Sequence, residues 1–73
     1  MNIGFLGLGK LGLPVALAVE SKGHNIYGYD ISEKVIENIK NKKIDYKEIF
    51  VDKYLPNTKL EICEIDDLVN KSE

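Results

Sequence analysis

The apolar positions of this chain change period several times, and each change marks an element. Ile3 to Leu6 is apolar on both faces, as expected of a parallel strand covered on two sides. Leu11, Val15, Ala18 and Val19 then recur at helical spacing, with Leu13 and Leu17 beside them. Pro14 fits such a helix only in its first turn, which puts the start near Lys10 or Leu11. Lys22 and Gly23 supply a cation and a residue suited to positive φ at its end. Asn25 to Tyr29 reads as a second strand, stopping at Asp30. Ser32 is the expected N-cap of a second helix with a buried stripe of Val35, Ile36 and Ile39, closed by Lys40, Lys42 and Lys43.

Beyond Ile44 the pattern is weaker. Ile49, Phe50, Tyr54 and Leu55 can line one side of a short helix, and Pro56-Asn57 marks a turn. Leu60 to Cys63 predicts a third strand, and Asp66 is placed to cap a last helical stretch holding Leu68 and Val69. Strands alternating with helices imply a parallel sheet with right-handed crossovers. No Pro- or Gly-rich linker divides the chain.

Three glycines, Gly7, Gly9 and Gly12, lie between the first strand and the first helix. Their G-x-G-x-x-G spacing is weak as a bare pattern. Here a strand precedes it, a helix opens within it, and a second strand ends on an acid. That setting is the dinucleotide-binding fingerprint of a Rossmann-like fold. The expected class is therefore α/β, a partial parallel sheet of about three strands with flanking helices. In this reading Gly7 permits the tight turn, Gly9 lets backbone approach a pyrophosphate, and Gly12 lets the helix pack on the sheet. The unpaired amides around Lys10, Leu11 and Gly12, at the positive end of the helix dipole, would receive the diphosphate. Lys10 is a candidate for long-range attraction, against the plainer reading of a solvated surface lysine. Asp30 would accept the hydroxyl hydrogens of the adenosine ribose and repel a 2′-phosphate. The chain contains no arginine to grip such a phosphate, so NAD is expected over NADP. The plain alternative is three turn glycines and a capping aspartate.

Composition narrows the classes. A chain of 73 residues forms at most one small domain. The net charge of −2 and scattered lysines offer no footprint for nucleic acid. The apolar stretches fall far short of the ~20 residues that span a bilayer, and no basic region opens a signal peptide. A single cysteine, Cys63, excludes an internal disulfide, and a cytoplasmic protein is expected.

The stretches "IGFLGLGKLGLPVA", "SKGH" and "GYD" resemble the N-terminal segment of the UDP-glucose/GDP-mannose (nucleotide-sugar) dehydrogenases. "ENIKNKKIDYKEI", "TKLEIC" and "IDDLVNKSE" extend the similarity over essentially the whole chain. The resemblance implies that residues 1–73 form the N-terminal part of an NAD-binding domain, with catalytic and substrate domains outside the chain. It implies oxidation of a nucleotide-sugar alcohol to the uronic acid by two hydride transfers to NAD through a cysteine thioester. Gly7, Gly9, Gly12 and Asp30 match the family's cofactor-binding positions. Lys34 resembles a basic residue that follows the acid, one position short of the usual spacing. Lys47-Glu48-Ile49 stands where the family commonly has Glu-Pro-Gly. The β-hydroxyacid dehydrogenases open very similarly. The insertion between Lys40 and Thr58 favours the nucleotide-sugar enzymes over them.

Cys63 reads as a small apolar strand residue, since the family's catalytic cysteine lies beyond this segment and no base stands near it in sequence. His24 reads as a turn or strand-entry residue, and Asp66 and Asp67 as cap and surface charge. No metal is expected. A sheet ending on the first strand would leave an open edge, which keeps a homo-oligomer in view. A stand-alone nucleotide-binding module and a truncated product without function are the competing readings.

Overall fold

In the computed structural model, residues 1–71 are described. They form β1 (Asn2–Leu6), α1 (Gly12–Glu20), β2 (Asn25–Tyr29), α2 (Glu33–Lys40), α3 (Ile49–Tyr54), β3 (Glu61–Ile62) and α4 (Ile65–Lys71), with a 3-10 turn over Leu55–Asn57. The strands make one parallel sheet in the order β1-β2-β3. Register runs from Asn2 opposite Asn25 to Leu6 opposite Tyr29, so both strands end together beside Gly7 and Asp30. The expected partial Rossmann-like α/β sheet is what forms.

Leu8, Leu13, Ala16, Leu17, Ile26 and Ile39 bury together with Val51 and Leu55, so α1, β2, α2 and α3 share one core. Ser32 caps α2 as expected, its hydroxyl accepting the Val35 N–H at 3.3 Å. Gly23 adopts φ +99° where the chain leaves α1 for β2.

The structure corrects four expectations. α1 begins at Gly12 with Leu11 as N-cap, one residue from the expected start. It buries Leu13, Ala16 and Leu17 and leaves Leu11, Val15 and Ala18 exposed, because the first i→i−4 bond, from the Leu13 N–H to the Gly9 carbonyl (3.0 Å), turns that face inward. Pro14 still falls in the first helical turn. In α3 the buried residue is Val51, while Ile49 is 87% exposed at the helix start. β3 is only two residues long: the Leu60 N–H turns to the Thr58 hydroxyl (3.1 Å), although the Cys63 N–H still reaches the Gly28 carbonyl (2.9 Å). Asp66 lies inside the first turn of α4, whose opening bond runs from the Leu68 N–H to the Glu64 carbonyl (2.9 Å).

Glu20, at the last position of α1, ties that helix to the approach of β3. One carboxylate oxygen accepts the Thr58 hydroxyl and the other the Lys59 N–H (2.9 Å). At the far end Lys71 of α4 bonds Glu61 of β3.

Candidate functional site

The site forms where β1 and β2 end together. Gly7 has φ +101°, a left-handed conformation that side chains oppose, and its N–H donates to the Tyr29 carbonyl at 2.8 Å. The turn is thereby bound to the end of β2. Gly12 is required for a different reason. A Cβ there would lie 2.0 Å from the Gly7 carbonyl oxygen, so only glycine lets the helix start against the turn. Its neighbour is the turn's own backbone, where the sequence reading had placed the face of the sheet.

Gly9 is unlike both. Its φ lies outside the left-handed region, and a Cβ there would meet nothing within 4 Å. The fold makes no demand for glycine at this position. The backbone N–H groups of Lys10, Leu11 and Gly12 find no acceptor among the described residues, as the geometry of a helix start dictates. The Leu11 side chain itself is 87% exposed.

Asp30 is built into the turn. One carboxylate oxygen accepts the Leu8 N–H and the other the Ser32 N–H, each at 2.8 Å. The acid thus joins the glycine turn to the start of α2, a role the sequence reading did not assign. An ionised carboxylate has about four acceptor sites, so two remain for outside donors.

Leu8 and Gly28 were also missed. Leu8 is 1% exposed and seats on β2, where a Cβ on Gly28 would come within 2.7 Å of the Leu8 side chain. The available signal was a glycine inside an otherwise aromatic and apolar strand, which marks close approach of another chain segment.

Two concavities flank the turn. One, about 350 Å³ with its open mouth, is lined by Leu8, Gly9, Ser32, Lys34, Asp45 and Tyr46. The second, about 500 Å³ counted the same way, lies among Leu6, Gly7, Tyr29, Asp30, Ile31 and Ile65 and is mostly apolar. Both candidate lysines face the residue 45–46 segment: Lys34 Nζ is 3.4 Å from Asp45 Oδ2, and Lys10 Nζ lies 5.7 Å from the centre of the Tyr46 ring. Burial, then the charges of Asp45 and Glu48, push the Tyr46 phenol above its ordinary pKa.

Away from this region, Cys63 is buried, and burial pushes its thiol pKa up, against a nucleophilic role. His24 has a buried Nδ1 without a partner and lines a separate hollow with Glu20, Lys59 and Glu61. Among the described residues no cluster of three or more His, Cys, Asp or Glu could hold a metal ion, and no helix is long and apolar enough to cross a membrane.

Residues 1–65 match the model of the UDP-glucose/GDP-mannose dehydrogenase family, NAD binding domain. The chain belongs to this family. Its cofactor is accordingly NAD. Among relatives, a UDP-N-acetyl-D-mannosamine dehydrogenase of Pyrococcus horikoshii is 49% identical over 39 residues, covering 53% of this chain and 9% of that protein. Protein CapL of Staphylococcus aureus is 42% identical over 60 residues, covering 82% of this chain and 14% of CapL. A solved structure of the UDP-D-ManNAc dehydrogenase from Pyrococcus horikoshii superposes with a TM-score of 0.74 at 34% identity, over 93% of this chain and 18% of that one. The chain thus spans less than a fifth of the length of the relatives it matches.

The residues present suit the cofactor. Orphaned amides at a helix start, open space over Gly9 and two spare acceptor sites on Asp30 match a diphosphate beside a ribose diol.

Proposed function

We propose that this chain supplies the NAD-holding part of an enzyme that oxidises a nucleotide-sugar alcohol to the uronic acid, with a UDP-N-acetylmannosamine-type sugar as the first substrate to try. The sugar class rests on the relatives named above. The observation that carries cofactor binding is Gly9, a glycine that neither backbone conformation nor packing requires. A ligand approaching the backbone there accounts for it.

In this reading the amides of Lys10, Leu11 and Gly12 receive the diphosphate, and Gly7 and Gly12 shape the turn that presents them. The remaining acceptor sites of Asp30 take the two ribose hydroxyls, while Leu8 and Ser32 hold its carboxylate still. The exposed side chains of Ile31 and Ile65, which line the apolar hollow beside Asp30, receive the adenine. Lys34 lends charge near the ribose. Bound NAD supplies the hydride acceptor; the chain's own residues bind and orient it.

Calorimetric titration of the full-length protein with NAD and NADP tests the binding reading. Binding of NAD should be tighter, and Gly9→Val should weaken it at least about tenfold, or about 1.4 kcal/mol. Equal affinity for both dinucleotides would remove the role given to Asp30. Reduced cofactor should accumulate with UDP-N-acetylmannosamine, UDP-glucose or GDP-mannose; turnover only with a small hydroxyacid would refute the substrate class.

A further inference from the structure

Ile44, Asp45 and Tyr46 are not part of the glycine fingerprint, yet they line the same cleft as Leu8, Gly9, Ser32 and Lys34. The Tyr46 hydroxyl is buried and has no hydrogen-bond partner in the structure. The side chain is half-buried, but a hydroxyl shielded from water without a partner is penalised, so such groups in folded proteins usually have a task. The Tyr46 ring also lies under the Lys10 ammonium, an arrangement that steadies a cation beside Gly9. On the same cleft Asp45 holds Lys34. One O–H donor on a small cleft next to open backbone, with Lys34 held there by Asp45 and Lys10 over the Tyr46 ring, suits a ligand that brings acceptor oxygens.

We propose that Tyr46 is a cofactor-binding residue: its hydroxyl donates to an oxygen of the dinucleotide's diphosphate, and its ring holds Lys10 toward the same group. The inference rests on the reading that the glycine turn holds the dinucleotide, and it adds a contact from outside that turn. Burial and the neighbouring Asp45 and Glu48 carboxylates keep the phenol protonated and therefore able to donate.

The test pairs affinity with stability in the full-length protein. Tyr46→Phe keeps the ring and removes only the hydroxyl. It should raise the Kd for NAD and for ADP about tenfold, as expected for losing a hydrogen bond to a charged group. The unliganded melting temperature should stay the same or rise, because an unsatisfied buried hydroxyl is gone. Adenosine, which lacks the diphosphate, should bind the variant and the parent equally. Lys10→Met should likewise weaken ADP more than adenosine.

An unchanged Kd for NAD and ADP would overturn the proposal. So would a lower melting temperature, which would assign the hydroxyl a structural partner, or an equal loss for adenosine, which would move the contact to the nucleoside. If the parent protein binds neither NAD nor ADP, the prior reading of the glycine turn fails instead.

Discussion

At the scale of single residues, three glycines that one spacing rule treats alike turn out to have separable reasons. Gly12 faces the Gly7 carbonyl so closely that a methyl group cannot enter without moving backbone. Gly12→Ala should therefore cost about 3 kcal/mol or more, seen as a large drop in the urea midpoint. Gly9→Ala meets empty space at an ordinary φ and should leave that midpoint within about 0.5 kcal/mol while weakening NAD. If both variants lose stability equally, Gly9 is structural and its functional role falls. The motif was legible in sequence because it is local; the division of labour was not, since it depends on what each missing Cβ would touch. Asp30 shows the same limit. Its position at the end of a strand was visible, but its bonds to the Leu8 and Ser32 amides arise only once the turn folds back. Asp30→Asn retains one acceptor oxygen for two amides, so it should destabilise the protein by about 1–3 kcal/mol besides losing NAD. Parallel thermal melts and NAD titrations of this variant separate the two effects.

At the scale of elements, β2 was read to the residue, whereas the Leu11, Val15 and Ala18 positions of α1 proved exposed and β3 was read as twice its length. The difference in β3 has a local cause. Thr58 and Lys59 are captured by Glu20, and the Leu60 N–H goes to Thr58, so the chain joins the sheet only at Glu61. No sequence pattern announces a contact between residues so far apart. Glu20→Ala should free this approach and lower stability by about 1–2 kcal/mol, measured by chemical denaturation. The other closing contact titrates. The Lys71 hydrogen bond and charge lower the pKa of Glu61 below 4.5, and Glu61 raises that of Lys71 above 10.5. A depressed carboxylate stabilises above its unfolded pKa and loses that contribution as pH falls through its folded value. A raised ammonium stabilises below 10.5 and loses it as pH climbs through its folded value. Docking of α4 should thus be firmest between about pH 4.5 and 10.5 and loosen on either side. Both groups are exposed, so the effect is small and weakens with salt. Glu61→Gln should flatten the acid limb of an amide-exchange profile over α4; an unaltered limb would show that the pair does not matter.

At the scale of the whole molecule, the site is made by chain topology: two parallel strands end in register, one delivering bare amides and the other an acid. On the proposed reading, that arrangement selects among dinucleotides by charge. NAD presents a ribose diol that two free acceptor sites on Asp30 can satisfy, whereas NADP presents a dianion to the same carboxylate, with no arginine in the chain to compensate. Because ligand binds the folded form only, this preference should appear as linked stability. NAD at a hundred times its Kd should contribute about 2.7 kcal/mol, read as a rise in the melting temperature of the full-length protein. NADP at the same concentration should move it far less. Asp30 is half-buried, so raising ionic strength should narrow the gap between the two cofactors only in part. A gap that ignores salt would mean that the 2′-phosphate is refused by shape, and the wall to examine would then be Ile31 rather than the Asp30 carboxylate.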